Sequence, residues 1–335
     1  MDSYYKNLIL NKLLKILVLL FLALVNPSFA QKKDYNEEFQ LQNDNDILTF
    51  KRKVADRYYS FGVHLDYRKI IREESKLYLF TAKHKNNLKK VIVNWHAGIE
   101  GYTSDQTRDK QENGVFVAFD RPYAGWLFAE NTITAASSQS IWYVKTTLGV
   151  LGPASGAEKL QDNFHVLINN PKLENWDNQI QNEVALNLEF GVNFAIIKWS
   201  HFDIHSQSSA SLGTQATFFK QGLMGRLGKF NTIDNTVFYH TNLTHEDTPP
   251  QSEYFLEFGA HLVTWGYKAT IQGRMFGENT NMNTDGLHRV NVDVSAALNY
   301  SRKKFTVFFR HHLITAETSR GRHFYYGSLG IIFKI

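Results

Sequence analysis

The sequence contains no cysteine in 335 residues. Disulfides and thiolate metal sites are excluded, so an exported chain of this composition must be held by packing and strand pairing. Beyond the first thirty residues no segment approaches the roughly 18 consecutive apolar residues of a spanning helix, which excludes a helical membrane protein. A barrel is not excluded. Its strands cross with about 9–11 residues each, and their alternation hides in a negative average such as the mean hydropathy of −0.34 found here. The net charge is only +5, which suits loops in water or attraction to anionic lipid phosphates and gives no reason to expect nucleic acid. No internal repeat or low-complexity linker divides the chain.

What is present begins with a leader. Lys6, Lys12 and Lys15 form a basic start, Ile16 to Val25 an apolar core, and Ser28-Phe29-Ala30 a small-x-small cleavage site. Residues 1–30 read as a signal peptide, the mature chain starts near Gln31, and residues 31–335 form one domain. The apolar core is about half the length of the roughly 20 residues that would anchor it as a helix.

The mature chain alternates. Leu186, Leu188, Phe190, Val192 and Phe194 are apolar, while Asn187, Glu189, Gly191 and Asn193 between them are polar or small. The same period of two runs through Tyr254, Leu256, Phe258, Ala260 and Leu262, and through Val290, Val292, Val294, Ala296 and Leu298. It returns from Tyr325 to Ile335, so the chain ends inside a strand. A terminal amphipathic strand suits a barrel that closes last strand on first. A periplasmic β-sandwich shows the same alternation, and periodicity alone leaves both open. Further strands are expected near 38–50, 57–69, 75–83, 89–100, 113–120, 125–135, 140–150, 211–222, 233–242 and 303–314. The high aromatic content, 14%, fits interfacial girdles.

One stretch breaks the strand pattern. From Gly156 to Ile168, Leu160, Phe164, Leu167 and Ile168 recur at helical spacing behind Ser155 as an N-cap. Gln161 and His165, four apart, share a face of that helix. Histidine is the side chain that changes charge near neutral pH, so His165 is a candidate general base. His311-His312 and the other histidines lack metal-ligand spacing, and zinc is not expected.

Elsewhere the polar run Gln42-Asn43-Asp44-Asn45-Asp46 fits either a Ca²⁺ site of carboxylate and amide oxygens or a strand whose polar face lines a lumen. Asp56-Arg57-Tyr58-Tyr59-Ser60-Phe61-Gly62 and Asp120-Arg121-Pro122-Tyr123-Ala124-Gly125-Trp126 each place Asp-Arg before aromatics and a glycine. Each alone reads as a structural turn with an ion pair. Ser60 lies outside any Gly-x-Ser-x-Gly elbow, so a serine-hydrolase turn is missing.

In order along the chain, these motifs resemble the outer-membrane lipid A 3′-O-deacylase (LpxR-type) family. With the three runs above stand Leu151-Gly152-Pro153-Ala154-Ser155-Gly156, Gln161-Asp162-Asn163-Phe164-His165 and Trp176-Asp177-Asn178-Gln179-Ile180. The resemblance is dense from about residue 38 to 195 and thin beyond. It implies a transmembrane antiparallel β-barrel of twelve strands, with a short extracellular-loop helix closing an active site against the wall. It implies a Ca²⁺-dependent ester hydrolase of the outer membrane that removes the 3′-linked acyloxyacyl group of lipid A. Separately, a monomer is expected.

Carried over, the family's Asn-Asp pair falls on Asn45-Asp46, with Asn43-Asp44 as the rival register. Its hydroxyl residue falls on Ser60, in place of the usual Thr, and its Gln-x-x-x-His on Gln161 and His165. Phe61 stands where the family often has Asn. The resemblance implies His165 as base toward water, Asp46 as Ca²⁺ ligand, Asn45 and Ser60 as partners of the ester carbonyl, and Gln161 as a support for the imidazole or the water. The competing functional class is a non-enzymatic outer-membrane pore or adhesion barrel, which accounts for the alternation but not for the ordered polar motifs.

Overall fold

A computed structural model describes residues 35–49, 57–84, 87–105, 110–112, 115–246, 249–277, 279 and 286–335. The leader read over 1–30, the start near Gln31 and Asp56 lie outside the described residues. Twelve strands close into one antiparallel barrel: β1 (Glu37–Asn45), β2 (Tyr58–Ile70), β3 (Leu88–Thr103), β6 (Ala124–Ser137), β7 (Ser140–Leu151), β8 (Glu183–Lys198), β9 (Phe202–Gly213), β10 (Ala216–Lys229), β11 (Glu253–Lys268), β12 (Val290–Arg302), β13 (Phe305–Ile314) and β14 (Phe324–Lys334). A separate hairpin, β4 (Lys110–Glu112) and β5 (Val115–Ala118), sits in the connection between β3 and β6. Each barrel strand pairs with its neighbour in sequence, and β14 returns to β1 with Glu38 opposite Lys334 and Asn45 opposite Gly327.

The alternation decides between the two β architectures once its direction is known. On β8, Leu186 and Leu188 are 57% and 56% exposed, whereas Asn187 and Glu189 between them are 6% exposed. A sandwich would bury the leucines. Here the apolar face points outward and the polar face inward, the arrangement of a strand between lipid and a wet lumen. No helix among the described residues is long and apolar enough to cross a membrane, and the strands are the crossing elements.

The inward face is charged and paired. Arg68 meets Glu38 at 3.2 Å and Asp66 at 3.0 Å, Lys145 meets Glu189 at 2.8 Å, and Arg310 meets Glu257 at 3.1 Å. Residues 230–246, in the connection after β10 at the end holding both barrel termini, cross the barrel mouth. There Leu243 packs on Ile70 and Ile92, and Ile233 on Ala136 and Ile141. Lys90 Nζ donates to the Thr241 carbonyl at 2.9 Å. That end carries the short turns 138–139, 199–201 and 303–304, as the periplasmic end of such barrels does.

Three expected strands differ. Residues 75–83 form a helix, α1 (Lys76–His84), because Ser75 Oγ caps Tyr78 N at 3.1 Å and the apolar run is too short to fix a strand period. The expected strand at 211–222 is a hairpin with its turn at 214–215 between β9 and β10. Residues 233–242 hold a 3₁₀ turn, Val237–Tyr239, capped by Thr236.

Candidate active site

The extracellular connection between β7 and β8 carries the helix α2 (Ala157–Leu167). Pro153 starts a 3₁₀ turn, and Gly156 at φ 73° reverses the chain into the helix. Gly156, not Ser155, is the N-cap; Ser155 Oγ accepts from Ala157 N at 3.3 Å without occupying the cap position. Ala157, Gln161 and His165 are the buried residues of α2, spaced by four so that one face meets the wall. The helix comes this close because Gly125 lies beneath its start. A Cβ there would collide with Ser155 Oγ and Ala157 Cβ. Ala157 then joins Phe61, Tyr123 and Trp176 in one buried cluster.

The wall beneath α2 is shaped by a bulge. β2 pairs with β3 through Tyr59–Tyr102 and Phe61–Gly101, so Ser60 is the extra residue. Bulges re-aim side chains, and this one does. Tyr59 turns inward, where its hydroxyl donates to Asp44 Oδ2 at 2.8 Å, while Phe61 turns outward beneath α2. Ser60 Oγ lies 2.6 Å from Thr103 Oγ1.

Between helix and wall is a pocket of about 80 Å³, lined by Asn43, Asn45, Ile47, Ser60, Phe61, Val63, Leu160, Gln161, Phe164 and His165. Four of the residues singled out in the sequence, Asn45, Ser60, Gln161 and His165, therefore meet at one cleft on the outer face of the barrel. Asp46 does not line it. It is buried on the turn after β1, with Oδ2 accepting Arg57 N at 3.2 Å and its own N–H directed at the Ser60 carbonyl, 3.3 Å away. Of the rival pair, Asn43 also lines the pocket, but Asp44 faces the lumen, bonded to Tyr59 and 3.2 Å from His64 Nε2.

Three of the polar pocket side chains are oriented by a fixed neighbour. His165 Nδ1 lies 2.6 Å from the Pro171 carbonyl, which can only accept; Nδ1 therefore carries the proton, and in the neutral ring Nε2 carries the lone pair. Trp176 Nε1, a donor only, gives its hydrogen to Gln161 Oε1 at 2.9 Å, which leaves Gln161 Nε2 as the donating end. Asn45 Oδ1 accepts from Ile47 N at 2.9 Å, so its donor is Nδ2. The outcome is one base and two amide donors around a small cleft, with the Ser60 hydroxyl beside them. The sequence marked the Trp176 motif without a role for the indole; its signal is a donor-only side chain in the segment that must pack back on α2.

The two Asp-Arg motifs are structural. Tyr58 donates its hydroxyl to Asp120, Arg57 pairs with Asp105, and buried Arg121 meets Glu317 at 2.8 Å. Burial raises the pKa of the Glu317 carboxyl, but Lys268 and Arg121 outweigh it and hold the group below its usual range. These contacts tie the extracellular loops together around the rim.

Calcium takes six to eight hard oxygens. Asp46 and the amide and carbonyl oxygens beside it match that donor chemistry. Among the described residues no group of three His, Asp or Glu side chains converges into a cage around it.

A closed barrel, apolar outside and polar inside, with a cleft between helix and wall on its outer face, defines an outer-membrane β-barrel protein. The sequence matches the family model "Outer membrane protein LpxR" over residues 16–335, and the chain belongs to that family. In structure it is similar to LpxR from Salmonella typhimurium, with a TM-score of 0.71 at 18% identity, covering 89% of this chain and 100% of that one. That likeness bears out the twelve-stranded fold. The β domain of the Bordetella autotransporter BrkA aligns with a TM-score of 0.44 at 7% identity over 90% and 99% of the two chains, too low to carry an argument. No curated protein matches the sequence.

Proposed function

We propose that this protein is a lipid A 3′-O-deacylase, hydrolysing the ester of the 3′-linked acyloxyacyl chain from the outer leaflet. Membership of the LpxR family supports the substrate. The observation that carries the chemistry is the anchored His165, its Nδ1 fixed by the Pro171 carbonyl, beside Asn45, Ser60 and Gln161 in a cleft that faces lipid rather than lumen. A pore is disfavoured by residues 230–246 across the periplasmic mouth.

Neutral His165 takes a proton from water at Nε2, and the hydroxide adds to the ester carbonyl carbon. The tetrahedral oxyanion forms among Asn45 Nδ2, the Ser60 hydroxyl and Gln161 Nε2, donors fixed before the reaction begins. When it collapses, the carbon–oxygen bond to the sugar breaks and the imidazolium returns its proton to the departing alkoxide. The fatty acid and the sugar hydroxyl are the products. Asp46 is the residue to hold Ca²⁺, which when bound supplies Lewis-acid polarisation of an ester carbonyl.

Mass spectra of lipid A from cells carrying the protein should lose the mass of the 3′ acyloxyacyl group. His165→Ala should lower deacylation by about 10²–10⁴-fold while the barrel stays folded and heat-modifiable. Full activity in that variant, or intact lipid A with the unaltered protein, refutes the reading. Chelation should stop turnover and added Ca²⁺ restore it; equal rates with and without the ion would remove Ca²⁺ from the mechanism.

A further inference from the structure

α2 is amphipathic in an inverted sense. Its buried face, Ala157, Gln161 and His165, carries the two polar pocket residues, while apolar side chains are left outside. Leu160, Phe164 and Leu167 fall at i, i+4 and i+7, one stripe along the helix. Leu160 and Leu167 are exposed, Leu167 at 52%, and Phe164 is half-buried. The polar side chains Glu158, Lys159, Asp162 and Asn163 occupy the other flank with Val166, and Asp162 is paired there to Lys172 at 2.7 Å. A loop helix in water has no reason to display leucines beside a cleft.

The stripe is not isolated. Leu160 and Phe164 share the pocket with Val63, which points outward from β2. Across the ladders, Val63 pairs with Ile99, Ile99 with Leu127, Leu127 with Val150 and Val150 with Val184. Leu127 is exposed and Val184 is 73% exposed, so this row is part of the lipid-facing belt. The apolar stripe of α2 continues that belt over the mouth of the pocket.

We propose that α2 is an interfacial helix whose Leu160–Phe164–Leu167 stripe lies among the acyl chains of the outer leaflet. Its polar flank faces the headgroups and water. The consequence for catalysis rests on the deacylase reading: an ester-linked chain reaches His165 sideways from the leaflet, along apolar side chains, without leaving the membrane. The occupant is lipid, not a second protein, because the surface it extends is already covered by lipid.

The absence of cysteine makes a direct test clean. Single variants Leu167→Cys, Leu160→Cys, Asn163→Cys and Val184→Cys carry a nitroxide in the full-length barrel reconstituted in lipopolysaccharide-containing vesicles, each checked for heat-modifiable folding. Collision with oxygen, which concentrates among acyl chains, is compared with collision with a water-soluble nickel chelate. The oxygen-to-nickel ratio at 167 and 160 should match that at 184 and exceed that at 163 severalfold. A ratio at 167 equal to that at 163 overturns the proposal. So does spin–spin broadening at 167 that vanishes on dilution with unlabelled protein, which would put a second copy on the stripe. Since no turnover is read, loss of the deacylase reading would leave this result standing, and the reverse.

Discussion

The barrel lumen and the outer wall under α2 make opposite use of polar residues. The lumen holds the larger cavity, about 320 Å³, lined by Lys220, Glu257, His261, Asp293, Arg310 and His312 among others. The cleft on the wall is a quarter of that size and holds fewer titratable groups. In the lumen most of those groups are paired: Arg310 meets Glu257 at 3.1 Å, His312 Nδ1 meets Asp293 at 3.1 Å, and His261 Nε2 meets Gln207 at 2.9 Å. On the wall, His165 Nδ1 and Asn45 Oδ1 meet backbone groups and Gln161 Oε1 meets the Trp176 indole. Cavity size and charge count do not distinguish a reaction site from a filled interior. The kind of anchor does: backbone groups and an indole position the wall side chains, whereas opposite charges pair most of those in the lumen.

The comparison breaks first at Asn45. Asn45→Asp keeps Oδ1 as acceptor for Ile47 N, so the turn survives, but it replaces the donor with a negative charge where the oxyanion would form. Loss of one such donor costs about 10²–10³ in turnover, and the added charge should place this variant at the severe end. Initial rates on lipid A in mixed micelles measure it, and a rate near that of the unaltered enzyme would take Asn45 out of the oxyanion site.

A smaller effect is expected one step further from the reacting atoms. Trp176 is buried against Tyr123, ring centroids 5.3 Å apart, so Trp176→Ala would confound orientation with a lost core side chain. Trp176→Phe keeps most of the packing and removes only the hydrogen bond to Gln161 Oε1. A net hydrogen bond of about 1 kcal/mol corresponds to roughly a fivefold fall, seen in kcat with KM unchanged. Activity equal to that of the unaltered enzyme would mean that Gln161 needs no support from the indole; a change in KM alone would give Trp176 a binding role instead.

Why some of this was legible in the sequence and some was not follows from the length scale of each signal. The alternation of β8, β11, β12 and β14 repeats over whole strands, and one choice of direction, Leu186 outward and Asn187 inward, turns it into a membrane barrel. Gln161 and His165 share a helical face by spacing alone, and their partners on the wall came through the family motifs. Single-residue geometry left no such trace. The bulge at Ser60 shifts the register by one residue and sends Tyr59 and Phe61 to opposite faces, which no periodicity reports. α1 was read as a strand because Leu77, Tyr78, Leu79 and Phe80 form a short apolar run compatible with either period. Asp46 comes through the Asn-Asp motif as the metal residue; consecutive residues at a strand end point apart, and of this pair Asn45 is the one that lines the cleft.

The smallest expected effect on turnover is the sharpest test of the comparison. Glu257→Gln removes the charge paired with Arg310 and keeps an amide oxygen that can still accept from Asn299 Nδ2. Breaking a buried pair from one side leaves the other charge uncompensated, which is strongly destabilising in a dry core. The Arg310 side chain is 27% exposed to the cavity, so water should screen it and reduce that cost. Heat-modifiability should therefore shift to lower temperature while deacylation by the folded fraction stays the same. If a fully folded Glu257→Gln barrel lost activity, the lumen would be coupled to the wall through β2 and β1, and the two regions could no longer be treated as scaffold and site.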